Sequence, residues 1–268
     1  MNSIQISVDA NEEQQEILIS QLSDCGAEGF EQTEKYLIAY FSENLFKSYE
    51  VNQLLQGYSF ATSTIEEKNW NEIWESNFQP VIVNDFCAIR AEFHDPIDSV
   101  EHEIIITPKM SFGTGHHATT HQMIEQMGDI DFNNKAVFDF GTGTGILAIL
   151  AEKLGASDII AIDIDDWSIT NAKENILRNN CHKILVRMSS QIPKEQFDVI
   201  LANINRNVIL NYLPQLHDSL KEKSYLLLSG LLSSDRDDIV KACAFHNLRA
   251  IKHTERGNWI SLLLIKSL

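Results

Sequence analysis

Residues 139–145 have the sequence Asp-Phe-Gly-Thr-Gly-Thr-Gly and follow a short apolar run. A second apolar run, 159–162, ends at Asp163. Glycines between a strand and a helix let the chain turn sharply and let its backbone approach a ligand. An acid after the next strand is placed to hold the ribose hydroxyls of an adenosine. The order strand, glycine turn, helix, strand and acid therefore predicts a nucleotide-type cofactor site at Gly141, Gly143 and Asp163.

Two classes of cofactor fit this turn. From Gly143 the sequence Gly-Thr-Gly-Ile-Leu-Ala matches the dinucleotide fingerprint, so a nicotinamide or flavin enzyme is one alternative. From Asp139 the pattern is Asp-x-Gly-x-Gly-x-Gly, with an acid just before the turn. A carboxylate there repels a pyrophosphate, whereas S-adenosylmethionine has no phosphate and carries a sulfonium and an ammonium. Asp139 therefore favours S-adenosylmethionine.

Length and composition indicate an ordinary globular protein. The chain has 268 residues, of which 44% are hydrophobic, and this length predicts two domains. Apolar runs are too short to span a membrane, and the N-terminus lacks the pattern of a signal peptide, so we expect a cytoplasmic protein. The four cysteines are scattered and predict reduced thiols rather than disulfides or a zinc knuckle.

Negative charge is concentrated at the front of the chain. Residues 1–60 contain ten acids and two bases, a net charge of −8 within a total of −17. Such a surface repels the phosphate backbone of nucleic acids and attracts basic macromolecules. The alternative is that these acids only keep the domain soluble.

The first 65 residues predict a small α+β domain without a catalytic cluster, in which helices cover one face of a single sheet. Its helix at 12–22 places Ile17, Leu18 and Leu22 on the apolar face, with Asn11 as N-cap. Residues 66–80 predict an amphipathic linker helix with an aromatic stripe that includes Trp70 and Trp74. We predict the elements of the domain at 4–8, 12–22, 35–41, 44–56 and 58–65.

Residues 81–268 predict a doubly wound α/β sheet. Short strands near 81–83, 86–90 and 104–106 precede a helix at 119–128. The chain ends in a hairpin, which implies an antiparallel terminal strand, as in the Rossmann-like sheet of class I methyltransferases. We predict the remaining elements as strand 136–140, helix 145–154, strand 159–163, helix 167–179, strands 183–187 and 197–202, helix 206–220, strand 224–230, helix 233–244 and strands 248–254 and 258–266.

A second glycine-containing loop precedes the cofactor turn. Residues 108–120 have the sequence Pro-Lys-Met-Ser-Phe-Gly-Thr-Gly-His-His-Ala-Thr-Thr and lead into a predicted helix. Free backbone amides and hydroxyls in such a loop suit a carboxylate, for example the methionine end of S-adenosylmethionine. His117 and His121 share a helical face, but a third ligand is not evident, so we predict no metal site. The candidate cofactor-binding residues in this loop are Phe112, Gly113 and Thr120.

Asn203 follows a predicted strand, at the carboxyl edge where open α/β sheets bind ligands. Its amide oxygen is suited to accept a hydrogen from an attacking amine, which makes it the candidate catalytic residue. The alternative is that Asn203 only forms the turn and caps the helix that begins near Asn205. Ile204-Asn205-Arg206 follows in place of Pro-Pro-Tyr, and no adjacent aromatic is present to stack on a base, which disfavours a nucleic-acid substrate.

Four motifs resemble the bacterial ribosomal protein L11 methyltransferase family over nearly the full length. The loop motif is the most specific of them, although Lys109 and Ser111 replace the Gly and Ala usual in the family. The Asn205-Arg206-Asn207 segment is also more polar than is typical. The motifs are Asn69-Trp-x-x-x-Trp74 with Phe78 and Pro80, Phe112-Gly-Thr-Gly-His-His-Ala-Thr-Thr120, Asp139 to Leu147, and Ala202-Asn-Ile204.

The resemblance implies a ferredoxin-like N-terminal domain that binds the ribosomal protein, a linker helix, and a class I methyltransferase domain. It implies methylation of lysine side chains and of an N-terminal amine on a basic protein of the ribosomal stalk base. We expect a monomer that does not contact nucleic acid or membrane directly. A small-molecule methyltransferase, with the acidic domain as a lid, is the alternative. The family's cofactor contacts fall on Thr120, Gly141, Asp163 and Asn203.

Overall fold

The computed structural model describes residues 3–33, 35–65, 78–107 and 114–267. The chain divides into two compact units, Met1–Asn77 and Phe78–Leu268. Most of the predicted linker helix, including Trp70 and Trp74, lies outside the described residues, and residues 78–80 are not helical. Within the described ranges, helices are all too short or too polar to cross a membrane. All four cysteines are free thiols.

The N-terminal unit is a four-stranded antiparallel sheet with two helices. Its strand order, β2-β3-β1-β4, together with the chain order βαββαβ, gives the ferredoxin-like arrangement. Apolar side chains of the strands and helices form one core. The elements are β1 (Ser3–Asp9), α1 (Glu12–Asp24), β2 (Gly29–Gln32), β3 (Tyr36–Ser42), α2 (Ser48–Leu54) and β4 (Phe60–Ile65).

Three sequence-based predictions for this unit need correction. Strand β2 was not predicted, because its sequence, Gly-Phe-Glu-Gln, has no apolar alternation. The helix predicted at 44–56 is a 3-10 turn at Glu43–Leu45 followed by the shorter α2. Ile17 is 57% exposed, whereas Gln15 is buried because its side-chain amide donates to the carbonyls of Ala10 and Thr33. The prediction that Asn11 caps α1 is confirmed by its hydrogen bond from the Gln14 amide.

The second unit begins with a small three-stranded sheet. Strands β5 (Val81–Val83) and β6 (Cys87–Ala91) are antiparallel, and β7 (His102–Ile106) is parallel to β6. Strand β7 lies at the edge of this sheet. Helix α3 (Ala118–Met127) follows and contacts the large sheet.

The large sheet has seven strands in the order β10-β9-β8-β11-β12-β14-β13. Among these seven described strands, β14 alone runs in the opposite direction to the others, which confirms the predicted terminal hairpin and the class I methyltransferase fold. The sheet separates two apolar layers, with α3, α4 and α5 on one face and α6 and α7 on the other. Its elements are β8 (Ala136–Phe140), α4 (Ile146–Lys153), β9 (Asp158–Asp163), α5 (Asp166–Arg178), β10 (Ile184–Met188), β11 (Phe197–Asn203), α6 (Arg206–Asp218), β12 (Leu220–Leu232), α7 (Arg236–Phe245), β13 (Leu248–Arg256) and β14 (Trp259–Lys266).

Two predicted boundaries on this sheet were wrong. Strand β12 is longer than the predicted 224–230, because its flanking residues continue the ladder with β11 and β14. Helix α7 begins at Arg236 rather than at residue 233, because a 3-10 turn at Ser233–Asp235 precedes it. Parallel strands β8, β9 and β11 end at the same edge of the sheet, where their last residues meet.

Candidate functional site

The glycine turn joins β8 to α4 and depends on left-handed backbone angles. Gly141, Gly143 and Gly145 have φ values of 77°, 55° and 81°, which side chains with a Cβ rarely adopt. A Cβ on Gly145 would also stand 3.2 Å from the Cβ of Ala172 in α5. Glycine is therefore required both for the path of the turn and for the close packing of α5 against it.

The carboxylate of Asp163 holds the turn from the end of the neighbouring strand. Its Oδ2 accepts a hydrogen bond from the amide of Gly143 at 2.9 Å, and its Oδ1 accepts from the amide of Ile164 at 2.8 Å. The amides of Gly141 and Thr142 both donate to the carbonyl of Ile162 at 2.9 Å. Three successive amides of the turn therefore already have protein acceptors. They are not free for a pyrophosphate, which dinucleotide-binding turns hold through such amides.

Asp139 lies fully buried beneath the turn. The hydroxyl of Thr142 donates to its Oδ2 at 2.6 Å, while its Oδ1 has no hydrogen-bond partner in the described part of the chain. Burial raises the pKa of Asp139 to about 7, an effect that the Thr142 hydrogen bond partly offsets and the charge of Asp163 increases. The carboxyl is therefore poised to gain negative charge when a cation approaches.

Asn203 ends β11 and reaches across to the start of α3. Its Nδ2 donates to the Thr120 hydroxyl at 3.3 Å, and Thr120 is 1% exposed. The amide oxygen of Asn203 is buried and finds no donor among the described residues. The cap of α6 is Asn205, whose side chain accepts from the amide of Val208, so the alternative role of Asn203 as that cap is wrong. A buried acceptor without a donor is available to a substrate hydrogen.

Ile204 fits into a slot between two glycines that flank β11. Gly141 follows β8, and a Cβ on it would overlap the Ile204 side chain. Gly230 lies in β12, and a Cβ on it would overlap the Ile204 carbonyl oxygen. Gly230 also has a φ of 83°, so both the overlap and the backbone angle disfavour any other residue at position 230. The slot fixes the backbone that directly follows Asn203.

Gly141, Gly143, Asp163, Asn203 and Ile204 line a cavity of about 480 Å³. Asp163 and Asp165 contribute carboxylates to its wall, whereas none of the described lining residues is Lys, Arg or His. Such a wall attracts a cation and repels a phosphate. The described lining residues are Phe140, Gly141, Gly143, Asp163, Ile164, Asp165, Ser168, Ser189, Ser190, Asn203, Ile204, Asn205, Val208 and Tyr212.

The structure brings most of the predicted site residues together. Gly141, Gly143, Asp163 and Asn203 line the cavity, and Thr120 contacts Asn203. Asp139 does not line it but is bonded to the turn through Thr142. The predicted residues Phe112 and Gly113, with Lys109 and Ser111, lie outside the described residues.

Sequence reasoning missed several lining residues. Ser189 and Ser190 directly follow β10, so the rule that ligands bind at the carboxyl edge would have found them. Tyr212 lies two turns into α6, and no local signal marks it. Its ring packs edge-on against Phe140, with centroids 5.1 Å apart, and closes one side of the cavity.

Known proteins resemble this chain over nearly its whole length. Residues 2–267 match the family Ribosomal protein L11 methyltransferase (PrmA). A ribosomal protein L11 methyltransferase of Phocaeicola vulgatus is 36% identical over 95% of both chains, and one of Porphyromonas gingivalis is 38% identical over 92% of this chain and 89% of its own. A crystal structure of ribosomal protein L11 methylase from Lactobacillus delbrueckii subsp. bulgaricus has a TM-score of 0.66 and 30% identity, covering 71% of this chain and all of that one.

Proposed function

The chain belongs to the ribosomal protein L11 methyltransferase family, and we propose that it transfers methyl groups from S-adenosylmethionine to lysine side-chain amines and the N-terminal amine of ribosomal protein L11. The single observation that carries the reaction class is the charge of the cavity. Its wall has two carboxylates and, among the described lining residues, no Lys, Arg or His. This fits a cationic sulfonium cofactor and opposes the diphosphate of the nicotinamide alternative.

Each part of the cofactor has a chemically suited partner at the site. Asp163, at the end of β9, would hold the ribose hydroxyls while keeping its bonds to the turn. Asp139, beneath the turn, would balance the positive charge of the methionine portion. Gly141 and Gly143 permit close approach of the backbone, and Thr120, with Phe112 and Gly113 of the same loop, would hold the methionine end.

The substrate amine must be neutral and in line with the methyl group. When bound, S-adenosylmethionine supplies a methyl carbon made electrophilic by its sulfonium. The unpartnered Oδ1 of Asn203 would accept a hydrogen from the amine and so direct the nitrogen lone pair. Attack by this nitrogen would form the nitrogen–carbon bond as the carbon–sulfur bond breaks, leaving the electron pair on a neutral thioether, and the amine proton would pass to water. Catalysis here rests on proximity and orientation.

The N-terminal unit is suited to bind a basic protein. Its first 60 residues carry ten acids against two bases, and Glu16, Asp24 and Glu28 are exposed. A surface of this sign attracts a basic ribosomal protein and accelerates its encounter with the enzyme. The charge supports a protein substrate over a small molecule, for which an acidic recognition unit has no evident use.

Mass spectrometry of the methylated protein tests this function. Purified enzyme, purified L11 and S-adenosylmethionine are incubated, and L11 is digested to locate added methyl groups. We expect methylated lysines and a methylated N-terminus that depend on enzyme and cofactor. An L11 that stays unmodified, while a cell extract of small molecules accepts label from methyl-labelled cofactor, would instead support the small-molecule alternative.

A further inference from the structure

Helix α5 and its C-cap residue, Asn179, carry a row of asparagines along one face. Asn171, Asn175 and Asn179 are spaced by four residues, so their side chains lie above one another. Asn171 and Asn175 are completely buried. Burying an amide is unfavourable unless it is hydrogen-bonded, so the partners of this row indicate why it is present.

Asn179 pairs with the free edge of strand β7. Its Oδ1 accepts from the amide of Ile105 at 2.9 Å, and its Nδ2 donates to the carbonyl of the same residue at 2.6 Å. The side chain thus occupies the place of a neighbouring strand. It fastens the small sheet to α5, and none of its described hydrogen bonds reaches the glycine turn.

Asn175 links the glycine turn to Thr107, the residue that follows β7. Its Oδ1 accepts from the amide of Thr107 at 2.7 Å, and its Nδ2 donates to the carbonyl of Thr144 at 2.9 Å. Thr144 belongs to the glycine turn, next to Gly143, whose amide is held by Asp163. Thr107 is the residue from which the second glycine-containing loop departs. One buried side chain therefore fixes both the turn and the start of the loop.

We propose that Asn175 is a positioning residue for S-adenosylmethionine: it holds the glycine turn in its binding conformation before the cofactor binds. The proposal rests on the proposed function. A turn with three glycines at positive φ has many accessible conformations when unrestrained. Asp163 restrains it at Gly143, and Asn175 restrains it at the next residue. A turn that is ordered in advance avoids an entropy cost on binding.

Calorimetric titration of purified variants with S-adenosylhomocysteine tests the proposal. Asn175→Ala is expected to weaken binding about tenfold, the effect of one backbone residue that must be ordered on binding. Asn179→Ala is the matched control, because it removes hydrogen bonds from the same helix face without releasing the turn. It is expected to lower the melting temperature while changing the dissociation constant less than about threefold.

Asn175→Asp provides a readout that a purely structural role would not give. The protonated carboxyl has an acceptor for Thr107 and a donor for Thr144, whereas the ionised form lacks the donor. The affinity of this variant, relative to wild type at the same pH, is therefore expected to fall as pH rises. The Asn175→Asp variant also tests the proposal if Asn175→Ala does not fold.

Four results would overturn the proposal. Asn175→Ala with wild-type affinity contradicts it directly, as does equal weakening by Asn179→Ala. If Asn175→Ala does not fold, the proposal is contradicted when the affinity of Asn175→Asp for S-adenosylhomocysteine equals that of wild type at every pH. A wild-type protein that binds no S-adenosylhomocysteine contradicts the proposed function as well, so the two failures are distinguishable.

Discussion

A Cβ on Gly230 would overlap the carbonyl oxygen of Ile204, so that the end of β11 rests directly on the backbone of β12. Ile204 immediately follows Asn203, the candidate catalytic residue. Any side chain at position 230 would push this backbone away, and a misplacement of about 1 Å at a reacting centre lowers rates about 100-fold.

Gly230→Ala is accordingly expected to lower kcat by about 100-fold and to lower the melting temperature. Steady-state methylation of L11 and thermal unfolding measure the two effects. Gly257→Ala is the control, because Gly257 also has a positive φ, 61°, but a Cβ there would meet nothing within 4 Å. A Gly257 variant with the same loss of kcat would show that backbone strain, and not displacement of Ile204, is responsible.

Asp163→Ala is expected to weaken S-adenosylhomocysteine binding by about 100-fold. The substitution removes the proposed ribose acceptor and also releases the Gly143 amide, and each hydrogen bond to a carboxylate contributes about 1.5–3 kcal/mol. Calorimetric titration gives the dissociation constants. Asp158→Ala, at the opposite end of the same strand, is the control and should bind as wild type does. Unchanged binding by Asp163→Ala would refute the ribose assignment.

The order of elements in the methyltransferase unit was predictable because buried parallel strands are apolar runs separated by amphipathic helices. Gly141, Gly143, Asp163 and Asn203 follow from the same pattern, since each lies at the end of a strand on one edge of the sheet. A periodic sequence pattern does not predict contacts between residues that are far apart in the chain. The donation from Asn203 to Thr120 joins residues 83 positions apart.

The features that were missed share that physical cause. Gly230 is required by the backbone of a neighbouring strand, and Asn175 by two segments 68 and 31 positions away. Strand β2 is stabilised by its pairing with β3 rather than by its own composition. Ile17 shows the reverse case, in which an apolar residue at helical spacing lies on the exposed side because the buried position is taken by Gln15.

Asn203→Ala is expected to lower the single-turnover methylation rate by about 100-fold, because the amine loses its proposed orienting acceptor. The dissociation constant for S-adenosylhomocysteine should change less than about threefold, since Asp163 and the turn are intact. Rapid-quench measurement with enzyme in excess over L11 separates the chemical step from product release. A variant with a normal rate but weakened cofactor binding would show that Asn203 acts only as a cofactor contact and not in the reaction.

Charge reversal on the N-terminal unit is expected to impair recognition of L11. Substitution of Glu16, Asp24 and Glu28 by Lys should raise KM for L11 about tenfold at low salt and flatten its salt dependence, while kcat stays unchanged. The control reverses three exposed acids of the other unit, Asp158, Glu195 and Glu222. Equal effects of the two triple variants would show that only net charge matters and that the N-terminal surface is not the recognition site.

Asp139 should make the stability of the cofactor-free protein depend on pH. Its pKa is about 7 in the folded protein and ordinarily 3.8, so between these values the folded state retains a proton that the unfolded chain loses. Stability therefore falls as pH rises from about 4 to about 7, by at most about 1.4 kcal/mol per pH unit, and this loss is complete above that range. Asp139→Asn cannot ionise and should remove the decline.

Urea unfolding at several pH values, for wild type and Asp139→Asn, measures this difference. Asp158→Asn, an exposed carboxyl on β9, should retain the wild-type decline. The Asp139 carboxyl also predicts a pH dependence of binding. Wild-type affinity for the cationic cofactor should increase as pH rises through about 7, because the Asp139 carboxylate forms there, and Asp139→Asn should lack this increase. Parallel pH profiles for wild type and Asp139→Asn, in both stability and affinity, would mean that this buried acid stays in one protonation state throughout.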